Sequence, residues 1–261
     1  MNYGLYLSAS GVLPNMYRQE VFVNNLANAH TVGFKPDMPG VYQRDVEAVE
    51  DRFSGDLSHR LLDKLGGGVF AGPQRTDHSV GLIDMTGRAT DVALETKGTF
   101  FVVNKIDPVT GQAQLYLTRD GRFASAAGFL VTATGRLRVM GESDQPIEVG
   151  SGDLRIDPAG RVYSNDEQVG RLQVVSVPDL QELRKVGRNL FRVLETSEQA
   201  RQVVEAPTLT VGAVEGSGTD PIKAMMQLVS ATKQVAGNAN LIRYHDILMD
   251  RAVNVLGRVE G

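Results

Sequence analysis

The stretch NNLANAHTVGFKPD, residues 24–37, decides how this chain is organised. Its first half continues an amphipathic run that begins near the N-terminus, and its second half contains residues that end helices. Gly33 suits a helix exit because glycine adopts positive φ at little cost. Pro36 restricts Lys35 to extended conformations, so the chain cannot continue as a helix. The stretch therefore predicts that a first helix ends here and that the chain leaves it extended.

The residues before this stretch predict an N-terminal helix. Apolar side chains recur at alternating steps of four and three, which is the spacing of a helix–helix seam. Pro14 interrupts the run, and a proline inside a helix costs about 3 kcal/mol, so we expect a helix start or a kink near it. The seam residues predicted to form an assembly interface are Leu5, Ala9, Val12, Met16, Val23 and Leu26.

The C-terminus predicts a second, longer helix. Asp220 is a suitable N-cap and Pro221 suits the first helical position. From there apolar residues recur every seventh position, and further apolar residues widen the stripe. The predicted interface residues of this helix are Leu228, Val235, Leu241, Ile242, Leu248, Met249, Val255 and Leu256. Two interpretations are open: the two ends form a helical hairpin on a globular body, or they pair and then pack against other copies. The second is favoured.

The pattern between the helices has the period of β-strands. The segment DVALETKGTFFVVN, residues 91–104, indicates two strands around Gly98. The segment QLYLTRDGRF, residues 114–123, contains an Asp-Gly pair typical of a hairpin turn. Turn signals then follow every 8 to 12 residues, which predicts a compact antiparallel β domain.

These patterns together predict a mainly β protein whose N- and C-terminal helices pair as a coiled-coil-like domain, with an antiparallel β domain inserted between them. The predicted organisation is a discontinuous helical polymerisation domain, an extended connector, the β domain and a return linker. Their ranges are 1–34 with 219–261, 35–81, 82–207 and 208–218, in that order.

Composition excludes several classes of function. The chain has no cysteine, so it has no disulfide, thiolate metal site or cysteine nucleophile. A net charge of −4 without a basic cluster argues against nucleic-acid binding. The four histidines are not at metal-ligand spacing, and Gly66, Gly67 and Gly68 are not followed by the Lys-Ser/Thr of a phosphate-binding loop. We predict no catalytic residue, metal or cofactor, and we interpret EGSGTD, residues 215–220, as a flexible approach to the second helix.

The hydropathy of the chain predicts no membrane insertion, because no window approaches 18 uninterrupted apolar residues. The N-terminal segment MNYGLYLSASGVLPN lacks a basic region, so we do not expect a cleavable secretory signal.

The opening stretch resembles the N-terminal signature of the flagellar rod and hook family. The matching residues are Asn25, Leu26, Ala27, Asn28, Thr31, Gly33, Phe34 and Lys35. Segments resembling the family follow in order: TDVALETKGTFFVVN, YLTRDGRFASAAGFLVTATG, VGRNLFRV and LTVGAVEGSGTDPIKAMMQLV. Each motif is moderately specific, and their shared order over about three-quarters of the chain is more specific than any one of them.

The resemblance implies a non-catalytic subunit of the bacterial flagellar basal-body rod, proximal or distal. It implies export without cleavage by the flagellar type III apparatus, helical polymerisation with self-contacts, and contacts with neighbouring rod and hook proteins in the drive shaft that crosses the periplasm. It also implies that Phe34 pins the departing chain to its own helix pair. Two other classes stay open at this point: a soluble β-domain binding module or adhesin with a helical stalk, and an enzyme of unfamiliar chemistry.

Overall fold

A computed structural model of the chain describes residues 3–45, 66–106, 113–142, 144–150, 152–193 and 201–256. The fold is mainly β, with antiparallel sheets and a helix near each end, which confirms that part of the predicted fold class. The chain divides into two compact units. Unit 1 comprises Met1–Ala27, Asp37–Arg75 and Pro221–Gly261, and unit 2 comprises Asn28–Pro36 and Thr76–Asp220.

Two long helices belong to unit 1. Helix α1 spans Tyr3–Ala27 and runs through Pro14, so a helix start at this proline is ruled out and a kink there stays a prediction. Helix α2 spans Pro221–Arg251 and begins at the proline that the sequence analysis placed at its first position. A π-helical turn, Ala252–Leu256, follows it. No helix in the described ranges is long and apolar enough to cross a membrane.

The two helices contact each other along their length and run antiparallel. A side chain at Gly4 would lie 2.7 Å from His245 Nε2, and one at Gly11 would lie 2.7 Å from Asn238 Nδ2. Further along, Gln19 Nε2 donates a hydrogen bond to Thr232 Oγ1 at 3.2 Å. Because glycine has no side chain, the helices approach closely at these positions.

Eighteen strands make up most of the rest of the described residues. Those of unit 1 are β1 Asp37–Gln43 and β2 Val69–Thr76, whose last residue belongs to unit 2. The strands of unit 2 are β3 Ile83–Met85, β4 Val92–Leu94, β5 Thr99–Ile106, β6 Ala113–Thr118, β7 Phe123–Ala126, β8 Phe129–Thr132, β9 Arg138–Val139, β10 Leu154–Ile156, β11 Arg161–Ser164, β12 Glu167–Arg171, β13 Val174–Ser176, β14 Leu183–Gly187, β15 Leu190–Val193, β16 Gln202–Val203, β17 Leu209–Val211 and β18 Ala213–Glu215.

The largest sheet has nine strands, and β5 is at its centre. Its main path runs β14-β15-β6-β5-β9-β8-β7, and β13 pairs with both β5 and β16. Because side chains alternate along a strand, β5 sends Phe101 and Val103 to one hydrophobic cluster and Phe100 and Val102 to another. A strand buried on both faces explains the uninterrupted apolar run TFFVV.

The predicted hairpin at Asp120-Gly121 is wrong. Strand β6 pairs with β5 and β15, and β7 pairs with β8, so the two strands flanking this dipeptide are not neighbours. A side chain at Gly121 would lie 1.7 Å from the carbonyl oxygen of Val92, so the glycine serves a close approach of two backbones. The Asp-Gly pair therefore does not connect two paired strands.

Two segments predicted as linkers contain strands. In the predicted connector 35–81, β1 and β2 pair as a two-stranded sheet; residues 46–65 of that connector lie outside the described residues. In the predicted return linker 208–218, β17 pairs with β4 and β18 pairs with β3. Strands β3, β4, β17 and β18 are only three residues long, too short for an alternating pattern to be recognised in the sequence.

Candidate functional site

The family-like motif begins with a clamp at the end of α1. Asn25 is buried, and its amide donates a hydrogen bond to the carbonyl oxygen of Asp37 at 2.7 Å. Its Oδ1 accepts one from the backbone N–H of Asp37 at 2.9 Å. Only a side-chain amide supplies a donor and an acceptor in this geometry, which is the physical reason for an asparagine here. The clamp fixes the start of β1 to the last turn of the helix.

The chain then turns twice. Thr31 donates its hydroxyl to Asn28 Oδ1 at 3.1 Å and its N–H to the Asn28 carbonyl at 3.1 Å. Phe34 N–H donates to the Thr31 carbonyl at 3.2 Å. Residues 28–36, called here the crossing segment, belong to unit 2.

Gly33 has a φ of 68°, which confirms the predicted positive φ. Its N–H donates to the carbonyl of Glu215 at 2.7 Å. A side chain at this position would lie 2.7 Å from the carbonyl carbon and oxygen of Arg119. Glycine is therefore required for two independent reasons, and the sequence showed only the first.

Phe34 is buried in unit 2. The Nζ of Lys185 lies 4.6 Å from the centre of its ring, a cation–π contact. The described contact of Phe34 is therefore within unit 2, whereas the family resemblance implied a contact with the helix pair.

Lys35 carries a charge into the interior of unit 2. Its side chain is 1% exposed, and its Nζ lies 2.5 Å from Glu215 Oε1. The same nitrogen donates to the carbonyl of Ser79 at 2.5 Å. Burial lowers the pKa of Lys35, and the neighbouring carboxylate of Glu215 opposes that shift. A buried ammonium group is tolerated only with such partners.

Glu215 is shared between two cations. Its Oε2 lies 2.9 Å from Arg119 Nε, although the two atoms are not aligned as a hydrogen bond, so the contact is ionic. The Gly81 N–H donates to Oε1 at 2.8 Å. Burial lowers the pKa of Arg119 and Glu215 opposes the shift. The cluster of Lys35, Arg119 and Glu215 thus contains two buried cations and one carboxylate that contacts both of them.

Backbone carbonyls of the crossing segment are bonded on several sides. Their donors are Asn189 Nδ2 to Val32 O at 2.7 Å, Gly218 N to Phe34 O at 2.9 Å, Lys185 Nζ to Lys35 O at 2.5 Å and Asp77 N to Pro36 O at 2.9 Å. These bonds tie the segment to the hairpin of β14 and β15 and to the residues that lead into α2.

His78 lies beside this cluster. Its ring centre is 6.1 Å from that of Phe100 and 5.5 Å from that of Phe191. Its Nδ1 is buried without a hydrogen-bond partner among the described residues. Burial, together with the nearby charges of Lys35 and Lys185, lowers the pKa of His78 to about 4.

Sequence reasoning missed the partners of the motif. The segment EGSGTD was interpreted as flexible, but the Glu215 side chain within it is fully buried. Arg119 lies in a segment noted for its Asp-Gly pair and its family resemblance, and Asn189 lies in one noted for its family resemblance alone. A buried charge follows no periodicity, so its partners are not visible before the strands are assembled.

On the C-terminal helix, the predicted seven-residue repeat matches the least exposed strip of α2. The buried or half-buried residues are Ala224, Leu228, Ala231, Val235, Asn238, Ile242 and His245. By contrast, Leu241, Leu248 and Met249 are largely exposed. Val255 and Leu256 lie in the π-helical turn, and their side chains lie outside the described part of the chain.

On α1 the buried face differs from the predicted stripe. Leu5, Val12 and Leu26 are half-buried, and Ala9, Met16 and Val23 are exposed; the buried positions are Ser8, Pro14, Val21, Phe22 and Asn25. Small residues at positions 4, 8 and 11 let the other helix approach that side, so larger apolar side chains are left outside. Seam spacing alone did not distinguish the two faces.

Within the described ranges, no group of three or more histidine, aspartate or glutamate side chains is placed to hold a metal ion. The side chains of Lys35, Arg119 and Glu215 are buried and bond to backbone groups of several segments, so the arrangement positions those segments. We find in it no nucleophile–base pair.

Curated proteins similar to this chain align over nearly its whole length. It is 24% identical to the flagellar hook-basal body complex protein FlhO of Bacillus subtilis (strain 168), over 98% of this chain and 99% of the relative. It is 27% identical to the flagellar basal-body rod protein FlgF of Rhizobium meliloti (strain 1021), over 98% and 99%. It is 28% identical to the flagellar basal-body rod protein FlgG of Bacillus subtilis (strain 168), over 96% and 98%. No protein-family model matches the chain. The resemblance to flagellar rod proteins is confirmed.

Proposed function

We propose that this chain is a non-catalytic structural subunit of the bacterial flagellar basal-body rod, which polymerises helically into the drive shaft that transmits torque across the periplasm. The observation that carries the proposal is its similarity, over 96% or more of its length, to proteins named as flagellar basal-body rod or hook-basal body proteins. A structural role in the basal body follows from these relatives.

The polymerisation domain consists of α1 and α2, paired as a coiled-coil-like hairpin with the β unit inserted between them. The support for this assignment is the seven-residue strip on α2 and the contacts that join Gly4 to His245 and Gly11 to Asn238. The interface residues named in the sequence analysis are part of this proposal.

Exposed apolar side chains on the helices are the reason to expect further copies. Leu241 and Leu248 are 50% and 60% exposed, and Tyr244 and Ile247 between them are exposed as well. Burying one such side chain contributes about 1.5–3 kcal/mol. A run of them on one helix is a surface that other subunits would cover, and repeated heterologous contacts form a filament.

Torque would pass through many fixed contacts and would need no chemistry. Inside unit 2, the crossing segment and the residues leading into α2 are tied together by Gly33 with Glu215 and by Phe34 with Gly218. The buried ion pair of Lys35 and Glu215 joins the same two segments. Because the two chain segments are joined at several points, a force that pulls on one of them is shared by all of these contacts.

The location and partners follow from the same proposal. The chain would be exported by the flagellar type III apparatus without a cleaved signal peptide and would reside in the periplasm-spanning rod. Its partners would be other copies of itself and the neighbouring rod and hook proteins.

The proposal is tested by placing a charge on the exposed helix face. Leu241→Asp should abolish polymer formation by the purified chain and swimming in a strain that lacks the native copy, because a charge buried in a packed seam costs several kcal/mol. Leu241→Met is the matched control and should assemble. The thermal melting of unit 2 should be the same in both variants.

Normal swimming and normal polymer formation by Leu241→Asp would remove this face from the interface. A purified chain that stays monomeric at every concentration, together with normal swimming when the gene is deleted, would contradict the proposed function as a whole.

A further inference from the structure

Two arginines lie opposite each other at one edge of the nine-stranded sheet of unit 2. Arg184 in β14 is the direct cross-strand neighbour of Arg192 in β15. Leu183 and Phe191 beside them pack into one buried cluster, and because side chains alternate along a strand, both arginines lie on the other face. Both are exposed, and neither forms an ion pair with a described residue. Like charges directly opposite each other destabilise a sheet, and an anion that contacts both would remove the repulsion.

Protection of the sheet edge accounts for only one of these arginines. Strand β14 is the first strand of the sheet, and its outer edge has no strand partner in the described part of the chain. A charged residue on such an edge discourages another strand from pairing, which explains Arg184. Strand β15 lies inside the sheet, between β14 and β6, so Arg192 needs another explanation. Residues 183–193 contain four cations and no acidic residue, a basic hairpin that the sequence analysis did not recognise.

A groove with a free carboxylate lies beside strand β12. It has a volume of about 410 Å³ and is formed by residues of this strand and of the segment 141–148. Clefts of roughly 300–1,000 Å³ are large enough to receive a ligand or a neighbouring side chain. In its wall, Glu142 is paired with Arg171 at 2.7 Å. Glu148 is exposed and has no ion pair with a described residue, so the groove carries one more carboxylate than cations.

The arginine pair and the groove are separate surfaces within one copy. The sheet runs β14-β15-β6-β5-β9, and the groove segment follows β9 in the chain. Strands β14 and β9 are four strand spacings apart, about 19 Å along the sheet at about 4.8 Å per spacing. The arginines therefore lack an anion and Glu148 lacks a cation among the described residues of the same chain. Each surface carries the charge that the other needs.

We propose that the arginine pair of one copy docks in the β12 groove of the next copy, where Glu148 receives a guanidinium group. This inference rests on the proposed function, because the occupant is a second copy of this chain in the rod. Packing either surface against its own equivalent would bring like charges together, whereas packing one against the other pairs them. The contact is heterologous, since the two surfaces differ, and a heterologous contact that does not close produces an open filament.

Cross-linking between single-cysteine variants tests the geometry. The chain has no cysteine, so Val186→Cys beside the arginine pair and Gln145→Cys in the groove wall each introduce one exposed thiol. The two proteins, one of them tagged, are mixed at a concentration at which the unmodified chain associates and are treated with a short bismaleimide. We expect mixed dimers to exceed either homodimer several-fold. Met85→Cys, exposed on β3, replaces Gln145→Cys in the control and should give no excess of mixed dimers.

Charge reversal tests the pairing. Arg192→Glu and Glu148→Arg should each weaken association by roughly three- to tenfold, the range expected when one partner of a partly exposed ion pair is reversed. The variant with both substitutions should recover part of the loss, because the charges of the contact are exchanged. Arg192→Glu should also keep or raise the melting temperature of unit 2, since it replaces the repulsion with Arg184 by attraction. A variant that weakens association while its own unit 2 stays as stable acts through the contact between copies.

Controls for net charge are Lys97→Glu and Asp84→Lys, at exposed positions of unit 2 outside both surfaces. They change the charge by the same amount and should alter association by less than about twofold, because separated surface charges are screened by salt. If Glu148→Arg lowers the melting temperature of unit 2, Glu148→Gln replaces it and should show a smaller weakening in the same direction.

The outcomes separate the two proposals. If the chain assembles but mixed dimers do not exceed homodimers, or the double reversal is no better than the single ones, the groove contact is wrong and the proposed rod function stands. If the unmodified chain does not associate at any concentration, both are overturned.

Discussion

The two units of this chain differ in the kind of side chain that they bury or expose. Unit 2 buries charged groups, and the cations of Lys35 and Arg119 find their carboxylate within the same unit. Unit 1 leaves apolar groups on the outside, including Leu241, Tyr244 and Leu248 on α2. A buried ion pair satisfied within one copy indicates that the interior of unit 2 is complete in a single chain. The exposed apolar face of α2 is the surface that further copies would cover in the proposed polymer.

The largest effect is expected from Glu215→Gln, which leaves two buried cations without a counter-charge. We expect unit 2 to lose about 3–5 kcal/mol, because breaking a buried pair strands a charge. Lys35→Met leaves Arg119 and Glu215 as a balanced pair and should cost less, about 1–3 kcal/mol for the lost hydrogen bonds. Urea unfolding of the monomer, followed by tyrosine fluorescence, measures both. Equal losses of unfolding free energy in the two variants would contradict the argument that buried cations without a counter-charge determine the cost.

Acid should weaken unit 2 through His78. Its folded pKa of about 4 lies below the unfolded value of 6.5, so the unfolded chain binds the extra proton first. The stabilisation is complete above pH 6.5 and is lost as the pH falls towards 4, by about 3 kcal/mol in total. Protonation would add a cation beside Lys35, Lys185 and Arg119, with Asp77 as the opposing charge on the same segment.

The check is the difference in unfolding free energy between pH 7 and pH 4.5, for the chain and for His78→Leu. The leucine variant keeps an apolar contact with Phe100 and Phe191 and removes the titration. Its pH dependence should be smaller, and an identical dependence in both proteins would show that His78 contributes nothing.

Substitutions of Gly33 should destabilise the monomer. A side chain there meets the Arg119 backbone at 2.7 Å, and φ is 68°. The backbone strain alone is about 1–3 kcal/mol for a non-glycine residue. Valine should be worst because it is β-branched. Asparagine tolerates the φ but not the contact, so it should still lower the melting temperature of unit 2. If a Gly33→Asn variant melts like the unmodified chain, the neighbouring Arg119 backbone moves far enough to accommodate the side chain, and the prediction is wrong.

The smallest effect is expected from Asn25→Ala, which concerns unit 1. The substitution removes the acceptor for the Asp37 N–H and the donor to the Asp37 carbonyl without introducing a buried charge, at a cost of about 1–3 kcal/mol. The loss should appear in the helical signal at 222 nm of the monomer, a wavelength at which helices dominate, and unit 2 should melt unchanged. A lowered melting temperature of unit 2 with intact helices would place the role of Asn25 elsewhere.

The parts of the fold that follow a period could be predicted from the sequence. The start of α2 at Pro221 and the strip from Leu228 to His245 follow from helix signals that are local in the chain. The positive φ of Gly33 was predictable for the same reason. Each of these depends on neighbours within a few residues.

What the sequence could not show depends on distant residues. Lys35 and Glu215 are separated by 180 positions, and neither lies in a pattern that indicates burial. Strand β18, which contains Glu215, is three residues long and has all three residues buried, so no alternation marks it. The Asp120-Gly121 pair was visible in the sequence, but it forms no hairpin, and the pairing of β6 with β5 and β15 depends on where those strands lie.

Hydrogen–deuterium exchange on the monomer and on the polymer tests the difference between the units most directly. The amide of Gly33, bonded to Glu215, and that of Val102 in β5 should be protected in both states. Amides of α2 should exchange quickly in the monomer, because a single helix pair with an uncovered apolar face opens readily, and should become protected in the polymer. Equal protection of α2 in both states, or rapid exchange of Gly33 in the monomer, would contradict the account.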